Sequence, residues 1–186
     1  MFRYDVINRL VDKYDLASYL EVGTCKKKDN FDFVRCSLKK SVDIDPKSDA
    51  DYVMSSDVYF STHDDKFDII FIDAMHHYEN ALKDIINALE HLNKGGVIVM
   101  HDCLPSSERL QARPRVSVEW TGDVWKAFLL YKRVSQYRCY IVDCDYGCGV
   151  IDTNIATDQD GFNISMLDWD YLVKNRDKMG IRPDVI

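Results

Sequence analysis

Apolar side chains recur along this chain in two rhythms, and the switches between them mark out the elements. Residues 4–16 carry Val6, Ile7, Leu10, Val11 and Tyr14, the spacing of one helix face. Tyr19-Leu20-Glu21-Val22, closed by Gly23, reads as a first strand. Residues 29–38 set Phe31, Val34 and Leu38 at helical intervals and predict a short helix. Ser41-Val42-Asp43-Ile44 reads as a second strand, stopped by Pro46. Asp51-Tyr52-Val53-Met54 is a weak third strand, followed by a short turn or helix over residues 57–61.

The most informative stretch is residues 67–102, which reads as strand, helix, strand with Asp73 and Asp102 at the two strand exits. Residues 67–72 are nearly all apolar, as a strand covered on both faces requires. Leu82, Ile85, Ile86, Leu89 and Leu92 form one helical stripe. Gly95-Gly96 is expected to cap that helix, with a fifth strand over residues 96–100.

Residues 105–121 are polar, irregular and longer than an ordinary connection, which marks a functional or disordered loop. Residues 123–134 return to helix, with Val124, Phe128, Tyr131 and Val134 on one side. Residues 139–142 and 149–151 predict two last strands around the turn Asp145-Tyr146-Gly147. A terminal helix is expected within residues 167–179.

Strands alternating with helices and ending in a hairpin predict a Rossmann-like, doubly wound α/β fold. The expected sheet is mostly parallel and seven-stranded, with a C-terminal antiparallel hairpin. Right-handed crossovers put the parallel strand exits on one edge, where such folds bind ligands. The 186 residues are read as one domain, with a core over about 18–152 and a C-terminal extension over 153–186.

Composition narrows the function classes. Hydrophobic content of 46% and charged content of 30% predict a globular chain. A net charge of −7 argues against a nucleic-acid surface, and Lys26-Lys27-Lys28 and Lys39-Lys40 read as solvated loop lysines. No apolar run approaches the length of a membrane span, and the first ten residues lack a signal-peptide pattern. Cys25, Cys36, Cys103, Cys139, Cys144 and Cys148 lack CxxC spacing and are read as reduced thiols of a cytoplasmic protein.

The loop after the first strand, Gly23-Thr24-Cys25-Lys26-Lys27-Lys28, has a single glycine. A dinucleotide pyrophosphate needs GxGxxG, so a nicotinamide-dependent oxidoreductase is disfavoured. The second strand ends at Asp43, where an acid can accept two hydrogen bonds from a ribose diol. An isolated aspartate there would be read as a turn residue before Pro46. With Gly23 upstream, the ribose role is preferred.

The Glu21-x-Gly23 loop, Asp43, Ser56-Asp57, and the runs FIDAMHHYENALKDI and GGVIVMHDC together resemble class I S-adenosylmethionine-dependent methyltransferases. The resemblance is nearer to the small-molecule O-methyltransferase branch called methyltransferase family 24, over residues 18–135. The runs HDCLP and WTGDVWK match a subgroup. The resemblance implies Glu21, Gly23 and Thr24 beside the methionine part of the cofactor, Asp43 on the ribose, Ser56 and Asp57 flanking the adenine, and Asp73 near the transferred methyl. The family usually has a second glycine where this chain has Lys27 or Lys28.

Methyl transfer to an alcohol needs alignment and removal of the hydroxyl proton. His76, three residues after Asp73, is the candidate base. Related sugar O-methyltransferases imply a magnesium ion on Asp73 and Asp102, with the histidine beside it. Cys103 departs from that pattern, because a thiol is a poor ligand for magnesium. The metal is left open. His77, His101, Trp120 and Trp125 each have a plainer reading as capping or packed side chains. Arg109, Arg113 and Arg115 read by default as solvated charge.

The expected function is S-adenosylmethionine-dependent methylation of a hydroxyl on a small molecule or a sugar or glycan precursor. No nucleic-acid or membrane partner is expected, and a homodimer is left open. The alternative is a catalytically degenerate cofactor- or partner-binding module with the same fold, suggested by Lys27, Lys28 and Cys103.

Overall fold

The apolar run predicted to be covered on both faces lies at the centre of the sheet. The computed structural model describes residues 1–157 and 166–185. In chain order the elements are α1 (Arg3–Tyr14), β1 (Ser18–Val22), β2 (Leu38–Asp43), β3 (Tyr52–Val53), α2 (Ser56–Thr62), β4 (Phe67–Ile72), α3 (Tyr78–Glu90) and β5 (Leu92–Met100). They continue with α4 (Glu108–Gln111), α5 (Val124–Val134), β6 (Tyr137–Val142), β7 (Cys148–Ala156), α6 (Trp169–Lys174) and β8 (Ile181–Arg182).

The strands form one sheet in the order β3-β2-β1-β4-β5-β7-β6-β8. β1 to β5 pair in parallel, and β7 runs antiparallel to both β5 and β6. Side chains alternate between two apolar layers. Phe67, Ile70 and Ile72 of β4 meet α3 and α5 on one face, while Ile69 and Phe71 face α1 on the other. α1 buries Val6, Ile7, Leu10 and Val11. Each such side chain contributes about 1.5–3 kcal/mol when withdrawn from water. That burial fixes where the N-terminus of the helix lies.

Four expectations are corrected. Among the described residues the sheet has eight strands rather than seven, because residues after Gly180 return as β8 and pair with β6. Residues 29–38 do not form a helix. Two single 3₁₀ turns, Lys27–Asp29 and Phe31–Phe33, flank Asn30. The Lys39 ammonium donates to the Phe31 and Val34 carbonyls, which a continuing helix would need. β2 therefore starts earlier, at Leu38.

Gly95-Gly96 does not cap α3, which ends at Glu90. The glycines instead lie in an irregularity of β5, between the pairs Phe67↔Leu92 and Ile69↔Val97. Gly95 has φ +79°, and its carbonyl accepts from the Asn154 amide. The terminal helix is split into α6 and a 3₁₀ turn over Arg176–Met179, closed by left-handed Gly180. The loop over 105–121 carries α4 within it.

Candidate active site

The sheet order reverses between β1 and β4, so their exit loops diverge and leave a crevice. Val22 pairs with Ile72, and Ile72 with Met100, so Gly23, Asp73 and His101 leave the sheet side by side. Gly23 has φ +89°, and a Cβ there would stand 2.1 Å from the Asp73 carbonyl oxygen. Only glycine permits that approach. Asp102 takes a left-handed conformation at φ 60°. The next two residues anchor it: Cys103 N donates to Gly147 O at 2.9 Å, and Leu104 N to Tyr146 O at 2.7 Å.

Three cationic or basic groups meet three carboxylates here. Arg3 Nη1 donates to Asp73 Oδ2 at 2.5 Å, and Arg3 Nε to Asp145 Oδ2 at 2.8 Å. His76 Nε2 lies 3.4 Å from Asp73 Oδ1, and its Nδ1 lies 3.2 Å from Asp102 Oδ2. His101 Nδ1 lies 3.4 Å from Asp73 Oδ1 and 3.2 Å from Asp102 Oδ1. His76 Nδ1 also lies 2.8 Å from the Trp120 carbonyl oxygen. A carbonyl can only accept, so Nδ1 carries a proton and Nε2 is the atom that titrates.

The charges set one another. Burial pushes His76 down, but the bond to Asp73 and the charge of Asp102 outweigh it, so the imidazole titrates above its ordinary value. Burial likewise opposes the charge on His101, yet Asp73, Asp102 and Asp145 hold it well above the usual range. Asp73 is held well below the carboxylate range: burial is overcome by His101, His76 and Arg3. Asp145 is lowered in the same way by His101 and Arg3.

The donors do not suit magnesium. Ligand atoms of Asp73, His76 and Asp102 do lie within 4.8 Å of one another. All four oxygens of Asp73 and Asp102 already face a guanidinium or an imidazole. Cys103 is buried, with Sγ turned toward the Met100 and His101 carbonyls. A hard cation that demands near-octahedral oxygen would find no free carboxylate here, because Asp145 too is held by Arg3.

Two adjoining cavities share Gly23, Cys25 and Asp73. The first, about 490 Å³, holds Arg3, Glu21, His76, His101, Asp102 and Trp120. The second, about 340 Å³, runs past Asp43, Ser56, Asp57 and Asp84. Asp43 Oδ2 accepts from Cys25 N and Oδ1 from Asp45 N, both at 2.7 Å. The carboxylate therefore fixes the turn and lines the cleft at once. Asp57 pairs with Lys83 at the rim. A hollow of about 700 Å³ lies at the opposite edge of the sheet, but among the described residues Lys94 is its only charged lining group, so the strand exits remain the candidate site.

Glu21 is almost wholly buried beneath the first cavity. Its carboxylate accepts from the Tyr19 hydroxyl and, at 2.6 Å, from Asn30 Nδ2. Burial raises it to about 7, against the lowering effect of those two bonds. Asp84 on α3 is raised by burial to about 6, against a bond from Ser56. Thr24 is buried beside Glu21, its hydroxyl reaching the Glu21 carbonyl oxygen at 3.5 Å.

The structure thus gathers Glu21, Gly23, Asp43, Ser56, Asp57, Asp73, His76 and Asp102 along one cleft, with Thr24 at its edge. Sequence reasoning missed Arg3, Asp145 and Asp84, and gave His101 only a packing role. No local pattern flags Arg3 or Asp145. Asp84, a carboxylate on the apolar stripe of α3, did carry a signal. Trp120 lines the cleft, whereas Trp125 is core. His77 lies edge-on to Trp120, outside the cleft lining. Arg113 pairs with Glu79 and Asp123, and Arg115 lies over Trp120. Neither they nor Arg109 line the cleft.

Comparison with known proteins agrees with this fold. Residues 21–103 match the family model of methyltransferase family 24, described as a methyltransferase domain. The O-methyltransferase from Bacillus cereus in complex with SAH superposes with TM-score 0.58 at 14% identity, over 81% of this chain and 80% of that one. An O-methyltransferase of tomaymycin synthesis from Streptomyces achromogenes, in complex with SAM, gives 0.59 at 12%, over 81% and 79%. The SAH-bound methyltransferase from Podospora anserina gives 0.57 at 14%, over 84% and 78%. At these identities the likeness is one of fold. No curated protein matches the sequence.

Proposed function

We propose, for a chain that carries a methyltransferase domain and the fold of the S-adenosylmethionine-dependent O-methyltransferases, that its cleft methylates a hydroxyl of a small molecule, in the first instance a sugar or sugar-like polyol. The observation that carries the reading is the continuous cleft at the β1/β4 crevice, with Asp43 toward one end and the Asp73–His76 pair toward the other. Glu21, Asp29 and Glu119 beside Trp120 and Tyr146 favour an uncharged, hydroxyl-rich acceptor over an anionic one.

The cofactor, when bound, supplies a methyl group already activated on a sulfonium. The chain's residues do the rest. Asp43 would accept from the ribose diol, and Gly23 allows the ligand to pass close to backbone. Ser56, Asp57 and Asp84 would border the base, and Glu21 would meet the ammonium of the methionine part. His76 Nε2 would take the hydroxyl proton as the new O–CH₃ bond forms and the S–CH₃ bond breaks. Asp73 and Asp102 hold the resulting imidazolium.

The non-catalytic alternative is less well supported. Lys27 pairs with Asp51, Lys28 is exposed and Cys103 turns inward, so none of the three obstructs the cleft. We read the six free thiols as those of a cytoplasmic protein. Among the described residues no helix is long and apolar enough to cross a membrane. Calorimetry with S-adenosylhomocysteine tests the proposal. Saturable one-to-one binding is expected, and no heat at millimolar ligand would overturn it.

A further inference from the structure

We propose that Arg3 is the built-in cation of this site, taking on Asp73 the place a divalent metal would otherwise occupy. The inference rests on the methyltransferase reading only for its purpose. The electrostatic claim stands on the geometry alone.

Arg3 belongs to the first turn of α1, whose apolar face is anchored by Val6, Ile7 and Leu10. The guanidinium is therefore delivered by a packed element rather than by a loose terminus. Two carboxylates from distant parts of the chain hold it. Asp73 lies at the exit of β4, and Asp145 in the turn between β6 and β7. Asp145 also accepts from the Arg3 backbone N–H at 3.2 Å. Both hydrogen-bonded edges are thus fixed, and the side chain lines the cleft.

The guanidinium is always charged and spreads that charge over a planar fork. Arg3 Nη2 meets no acceptor among the described residues, so its N–H groups remain for an oxygen entering the cleft. A metal on Asp73 would have to displace this group or lie against it. Like charges a few ångströms apart in a half-buried site repel, so the arginine excludes the ion.

The experiment is a Mn²⁺ titration of the full chain, free of cofactor and acceptor, read by electron paramagnetic resonance. Wild type should bind Mn²⁺ more weakly than about 1 mM. Arg3→Gln, with its fold checked by circular dichroism, should bind at least about tenfold tighter. Arg3→Lys, which keeps the charge, should stay near wild type. Arg3→Met serves if the glutamine variant misfolds. One Mn²⁺ per wild-type chain below about 1 mM, or removal of the charge with no gain, would overturn the inference. Neither outcome touches S-adenosylhomocysteine binding, so this idea and the functional reading fail separately.

Discussion

Gly122 lies so close against His76 that a Cβ there would stand 1.8 Å from the His76 carbonyl oxygen. The long loop is seated by this contact, together with the bond from Asp123 N to the same carbonyl at 3.3 Å. Gly122 also has φ +58°, so a side chain is strained twice over. Gly122→Ala should displace His76 and Trp120 and cost about 1–3 kcal/mol of stability. Turnover should fall by about tenfold or more, while S-adenosylhomocysteine still binds at the Asp43 end. Thermal unfolding and calorimetry on the same variant separate the two effects.

Turnover should depend on a group titrating above the ordinary histidine value. Asp73 and Asp102 favour the protonated imidazole of His76, and a general base must be neutral. Activity should therefore rise with pH through that raised value. Asp102→Asn removes one supporting charge, so the acid limb should move to lower pH. His76→Ala should lower turnover by about 10²- to 10⁴-fold and leave S-adenosylhomocysteine affinity within about twofold. A wild-type rate in that variant would end the assignment of the base.

Glu21 gives a second pH dependence with a definite sign. Its carboxyl is raised by burial to about 7 in the folded protein. The unfolded chain loses this proton near the ordinary glutamate value, so between there and about 7 the folded state binds more protons. Stability should fall with rising pH across that window, by at most about 1.4 kcal/mol per unit from this group, and then level. Glu21→Gln should flatten the slope. A bound ammonium favours the carboxylate, so affinity for S-adenosylhomocysteine should strengthen as pH rises toward about 7 and then plateau. Binding that is flat from pH 5.5 to 8, or unchanged by Glu21→Gln, would separate Glu21 from the ligand.

Asp43→Ala removes the acceptor proposed for the ribose diol. The loss should be about 1.5–3 kcal/mol of binding, roughly tenfold to hundredfold in Kd. The same substitution leaves the Cys25 and Asp45 amides without their acceptor, but both lie at the surface and can turn to water. The melting temperature should therefore change little while affinity drops. A large loss of stability with unaltered affinity would assign Asp43 to the turn alone.

The sequence by itself determined the parallel core and the edge at which the candidate site lies. A strand covered on both faces must be apolar throughout and a helix lying on it must show a stripe. β4, α3 and β5 announce themselves for that reason, with Asp73 and Asp102 at their exits. His76 was legible because it lies three residues from Asp73. Where a signal served two purposes, the reading slipped. Gly95-Gly96 suits a helix cap and a strand irregularity alike, and Phe31 and Val34 are buried without a helix because Lys39 claims their carbonyls.

Only the tertiary structure decided how the acids are neutralised. Arg3 and Asp73 are 70 residues apart, and Arg3 and Asp145 are 142. Periodicity reports what neighbours in the chain bury together, but an ion pair needs only proximity in space. The packing of α1 and the turn before β7 set that proximity. They convert a pair of acids that resembles a metal site into one whose positive charge comes from the chain itself.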